Sequence, residues 1–100
     1  MIARIWRGRA TPQNAPAYVK HFTETVVPAL KALPGHRGAS LMQREVDGQV
    51  ELLALTLWDS RASIEAFAGS DISRAHVEPQ ARAVLASFDD FADHYEVAYG

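Results

Sequence analysis

Three features of the sequence predict an α+β domain with strands and helices in the order βαββαβ. Two strand-like runs flank Asp47-Gly48, the strongest short hairpin signal, because a type I′ turn needs positive φ at both central positions. Tyr18, Phe22, Val26, Leu30 and Leu33 recur at helical spacing as one apolar stripe. The run Val50 to Leu57 is apolar on both faces, as in a central strand covered on both sides. At 100 residues the chain is predicted to be a single domain over residues 1–100, with a modest core that a partner subunit would supplement.

Residues 2–9 alternate, carry Ile2, Ile5 and Trp6, and read as the first strand. Thr11-Pro12 breaks it and can open the long helix, since proline fits a first helical turn. Pro28 lies inside the helical stripe and should remove one backbone hydrogen bond and kink the helix. Leu33-Pro34-Gly35 stops it. Strands follow at 37–46 and 49–58. Ser60 is a good N-cap for a short helix bearing Ile64, Phe67 and Ala68, which Gly69 ends. Pro79 opens a further helix with Val84, Leu85 and Phe88 as its apolar side, and residues 91–99 return to strand character. The chain's helices can cover only one face of the sheet, so something else must cover the other.

Composition closes several routes. The formal net charge of −2 gives no reason to expect a nucleic acid or an anionic membrane as partner. Arg4, Arg7 and Arg9 are most simply a solvated strand face. There is no cysteine, hence no disulfide, thiolate nucleophile or Cys-ligated metal. No apolar run approaches the ~20 residues that span a bilayer, and the amino-terminal residues lack a signal-peptide core, so a cytoplasmic location is expected. There is no phosphate loop, nucleophile elbow, HExxH or flavin fingerprint. His21, His36, His76 and His94 do not pair at i+3 or i+4, so no metal site is expected.

Several stretches resemble the antibiotic biosynthesis monooxygenase domain family. They are Val27-Pro28-Ala29-Leu30 with Leu33-Pro34-Gly35, then Thr56-Leu57-Trp58-Asp59-Ser60 followed by Ile64 to Asp71, and the ending His94-Tyr95-Glu96-Val97. The resemblance covers nearly the whole chain. It implies a ferredoxin-like domain with an antiparallel sheet and a homodimer whose two sheets face each other as a dimeric α+β barrel. That partner supplies the missing cover. For the family's characterised oxygenases it also implies oxidation of aromatic polyketide-like substrates by O₂ without metal or flavin. The reading is thus a cofactor-independent monooxygenase acting on a small electron-rich phenol, quinol or anthrone. The rival is a non-catalytic ligand-binding or structural dimer of the same fold.

The candidate residues each have a plain alternative. Trp58, at the sheet-to-helix junction, is core packing or a pocket wall whose indole N–H meets a substrate oxygen. Phe22 and Phe67 lie on apolar helix faces, as core or as substrate contacts. His76 is a surface-loop histidine or a base flanking the helix–sheet cleft. His94, on the last strand, is a satisfied interface residue or the base; alternation leaves its face undetermined. The family's haem-degrading branch uses an Asn on the first strand, a Trp on the second helix and a His beyond it. Matching positions here hold Arg7, Phe67 and His76, so haem degradation and a haem cofactor are not expected. No cofactor is assigned.

Overall fold

The computed structural model describes residues 1–100. Strand β1 (Ile2–Ala10) is followed by a helical stretch in three parts: α1 (Ala15–His21), a π-helical turn (Phe22–Val26) and α2 (Val27–Lys31). Then come β2 (His36–Val46), β3 (Gln49–Trp58), α3 (Arg61–Ala68), α4 (Pro79–Val84), β4 (Ser87–Phe88) and β5 (Asp93–Glu96). All pairings are antiparallel. The sheet runs β2-β3-β1-β4, and β5 also pairs with β1. This is the ferredoxin-like βαββαβ arrangement, its last strand split in two.

The hairpin forms as its turn residues demand, with Asp47 at φ 51° and Gly48 at φ 80°. On β1, Ile2, Arg4, Trp6, Gly8 and Ala10 face the helices; they lie opposite Trp58, Thr56, Ala54, Leu52 and Val50 of β3. One core cluster joins Ala10, Val50 and Leu52 to Tyr18, Phe22 and Ala81; a second joins Ile2 and Trp58 to Leu30 and Ile64. Every helix therefore packs on the same sheet face. The opposite face carries Ile5, Leu53, Leu55 and Leu57, half-buried, with Met42 and Tyr95 exposed and no helix over them.

The first helix begins later than Thr11-Pro12. The Thr11 carbonyl accepts from the N–H groups of both Asn14 and Ala15, making a turn before α1, and Pro16 sits in the first helical turn. Pro28 does not simply kink the helix. The Val27 N–H bonds the carbonyl of Phe22, five residues back, and the widened turn places Pro28 at the start of α2, where it needs no donor. This turn also explains the stripe. Tyr18, Phe22, Val26 and Leu30 are spaced by four, so on an ideal helix they would drift by about 120°. The extra residue of the π turn takes back about 100°, keeping all four on the sheet side.

Ser60 caps α3, its hydroxyl accepting from the Ser63 N–H, and Gly69 ends it at φ 87°. The expectation for Phe88 is corrected: α4 stops at Val84, and Phe88 lies in β4 opposite Gly8. The Ala86 N–H bonds the Arg9 carbonyl, so pairing with the edge of β1 outweighs the helical spacing. The single strand expected at 91–99 is shorter. The chain leaves β1 after Asp89, whose N–H still bonds the Arg7 carbonyl, and residues 90–92 pair instead with the segment after α3: Ala75 N–H to the Asp90 carbonyl and Ala92 N–H to the Ser73 carbonyl. No helix is long and apolar enough to cross a membrane.

Candidate functional site

Between the helix-facing side of β1 and β3, the 18–30 stripe and the 67–81 region lies a cavity of about 60 Å³. Trp6, Tyr18, Phe22 and Phe67 make its aromatic walls, with Val26, Leu30, Ala54, Val77 and Ala81. Its polar groups are Arg4, His21, Thr56, His76 and Glu78. The volume equals several waters and is below the ~150 Å³ of an engineered cavity that takes benzene. A ring thus enters by displacing a wall. The irregular stretch between α3 and α4, which supplies His76 and Val77, is the wall without regular secondary structure.

Of the five residues singled out in the sequence, the structure brings three to this cavity. Phe22 is buried on its wall at the π turn, and Phe67 and His76 face each other edge-on with ring centroids 5.0 Å apart. Trp58 lies one layer deeper. It is fully buried against Ile2, Leu30 and Ile64, stacks at 6.1 Å on Phe67, and its indole N–H already donates to Thr56 Oγ1 at 2.9 Å. It touches no cavity space; its bond fixes Thr56, whose own hydroxyl proton is left to donate. His94 faces the helices, opposite Arg4 on β1, with Nε2 3.0 Å from Arg4 Nη1. That contact makes His94 Nε2 the acceptor, so its lone pair is engaged by the arginine. Burial, then the positive charges of Arg4 and Arg61, lower the His94 pKa.

Arg4 is the residue that the sequence reading placed wrongly. It is not on a solvated face: it is 4% exposed and lines the cavity. Alternation is the signal that could have found it, since Arg4 shares its face with Ile2, Trp6, Gly8 and Ala10 whereas Arg7 and Arg9 point the other way. Its guanidinium donates to the carbonyls of Ile72 and of Arg74, the latter at 2.9 Å, and lies 5.9 Å from the Phe67 ring centroid. Burial lowers its pKa to about 10, which leaves it charged near neutral pH. Tyr18 is the other missed group; burial, then the Glu78 carboxylate, push its phenol up to about 12.

No three His, Cys, Asp or Glu side chains come together as metal ligands. Arg7, matched above to the first-strand Asn of the haem branch, lies on the open sheet face, where its partner is Asp93. The cleft-facing residue beside it is Trp6. A porphyrin does not fit a space of a few waters' volume closed by Trp6 and Phe67.

Fold and cavity together define a ferredoxin-like α+β domain with a small cavity between sheet and helices. The family model for antibiotic biosynthesis monooxygenases matches residues 1–79, and the chain belongs to that family. Among solved structures, a candidate antibiotic biosynthesis monooxygenase from Bacillus cereus aligns over 100% of this chain and 94% of its own, at TM-score 0.68 and 16% identity. A haem-degrading protein from Mycobacterium tuberculosis, with two haems bound in its active site, aligns over 100% and 98%, at TM-score 0.65 and 22% identity. A second candidate monooxygenase of the family, from Chloroflexus aurantiacus, aligns over 99% and 94%, at TM-score 0.59 and 19% identity. No curated protein sequence matches the chain.

Proposed function

We propose that the protein is a cofactor-independent monooxygenase that oxidises a small, electron-rich aromatic with O₂. One observation carries this reading: an imidazole, His76, exposed at the edge of an aromatic-walled cavity and set edge-on to Phe67 in its wall. The volume favours a single-ring phenol or quinol over a tricyclic anthrone. For a phenol the chemistry balances without a further reductant. His76 takes the hydroxyl proton, and the phenolate passes one electron to O₂. The phenoxyl radical and superoxide then combine at the para carbon, forming the C–O bond. The imidazolium returns its proton to the peroxide. Loss of the para hydrogen with O–O cleavage expels water and leaves a quinone, so one oxygen atom enters product and the other becomes water. The protein contributes an aromatic-walled site, orientation and the proton acceptor.

The same reading makes the protein a homodimer. The uncovered sheet face, with Leu53, Leu55 and Leu57 down its central strand, supports it. The small cavity favours a rival, a binding module that keeps the fold without the chemistry. One assay separates them: oxygen consumption against a panel of phenols, quinols and anthrones, with and without added metal and flavin. His76→Ala is expected to cut turnover by about 10²–10⁴-fold, the usual worth of a positioned base, and His94→Ala by far less. Absence of turnover above background across the panel refutes the oxygenase reading.

A further inference from the structure

The arginines at 7, 9, 37 and 44 each have a carboxylate within ion-pair distance, Asp93, Asp89, Asp59 and Glu51, and Arg61, Arg74 and Arg82, which have none, are exposed to solvent. Arg4 also has none, yet it is buried. Its acceptors are two backbone carbonyls, of Ile72 and Arg74, and the ring nitrogen of His94, all neutral. These use three of its five N–H donors. The Nε–H and one Nη2 hydrogen have no acceptor in the chain. The nearest aromatic face is that of Phe67, and the Thr56 hydroxyl lines the same cavity with a proton to give. The one carboxylate in the lining, Glu78, acts on Tyr18 rather than on Arg4. The cavity lining thus holds a buried cation with no carboxylate within ion-pair distance.

We infer that Arg4 is an anion-receiving site in the cavity, selecting aromatic ligands that carry a carboxylate over neutral ligands of the same shape. A buried charge is tolerated best when it is paired and fully hydrogen-bonded, and a planar guanidinium with two free donors matches a carboxylate's two oxygens. The neutral carbonyls and His94 hold the fork in place, and the ligand brings the counter-charge. This rests on the cavity being the substrate site, and it refines the substrate class to aromatic acids bearing a phenol.

The test is equilibrium binding, not turnover. The probes are 4-hydroxybenzoate and 4-hydroxybenzamide, nearly isosteric and differing in charge, titrated by calorimetry at about pH 7. The parent is expected to bind the carboxylate at least about tenfold more tightly, as for one charge-assisted bidentate pair. Arg4→Met, which replaces a buried charge by an apolar chain of similar length, is expected to fold and to bind both probes equally. Arg4→Lys keeps the charge without the fork and is expected to retain part of the preference. Should Arg4→Met not fold, Arg4→Gln takes its place. Equal or weaker binding of the carboxylate by the parent, no binding of either probe, or a preference that survives loss of the charge overturns the inference. Turnover without charge preference removes this inference alone; charge preference without turnover removes only the oxygenase reading.

Discussion

Leu30→Ala tests how packing and the site are joined. Leu30 is fully buried, belongs to the cluster of Ile2, Trp58 and Ile64, and also forms part of the cavity wall. Removing three carbons forfeits about 2.4 kcal/mol of transfer free energy at about 0.8 kcal/mol per carbon. If the surroundings do not collapse, the space left is on the order of 80 Å³ and adds roughly 2 kcal/mol at about 24 cal/mol per Å³. The expected loss is therefore about 4 kcal/mol, reduced toward about 2.5 kcal/mol if water fills the enlarged cavity beside Arg4 and Thr56. Urea unfolding at equilibrium measures it, with Tyr99→Ala, at a 99% exposed position, as a control expected to change nothing. The hole opens into the existing cavity, so the variant is also expected to bind phenol more tightly than the parent. A loss under about 1 kcal/mol refutes the assignment of Leu30 as shared core and wall. So does a large loss without a gain in phenol binding, because the new space then does not connect to the site.

Three further outcomes are expected. Gly35 sits at φ +85°, where an added Cβ would lie 2.6 Å from the Ser63 Cβ, so Gly35→Ala should lower stability by at least about 2 kcal/mol in urea unfolding, combining left-handed backbone strain with overpacking; a change under about 0.5 kcal/mol contradicts that geometry. The pKa of His94 is lowered by burial and by Arg4 and Arg61, and that of His36 by burial and Lys31, while His36 Nδ1 is buried without a hydrogen bond. The unfolded chain thus binds more protons near and below its histidine pKa of about 6.5; stability is complete above that pH and lost as pH falls through it. Thermal midpoints measured from pH 7.5 to 5 should show this fall, with a shallower slope in His36→Asn; an equal slope removes His36 from the account. Leu55→Glu puts a charge at the middle of the uncovered sheet face, and sedimentation equilibrium should change from twice the 11.0 kDa chain mass to the chain mass; a parent that sediments as a monomer ends the homodimer proposal.

Elements whose cause is local are legible in the order of the amino acids. Asp47-Gly48 specifies the hairpin, Ser60 and Gly69 bound α3, and the two-faced run in β3 specifies a central strand, because turn chemistry, caps and alternation act within a few residues. Phe22, Phe67 and His76 could be picked out from helical spacing and from their place after α3. Features that depend on a distant partner emerge only when the chain is folded. Phe88 left the helical pattern for the edge of β1, and β5 was shortened because residues 90–92 pair with residues 73–75 rather than with β1. Pro28 produced a widened turn rather than a kink, keeping the four-residue stripe against the sheet. Trp58 spends its indole hydrogen on Thr56, two residues away but on the same side of the strand, and so lies under the site instead of in it. Arg4 shows the difference most plainly. Alternation already set its face, yet only the carbonyls of Ile72 and Arg74 and the ring of His94, some 70 to 90 residues along the chain, make that face a place able to hold a charge. A buried cation is stabilised by the donors and acceptors that converge on it, and that convergence is a property of the folded chain.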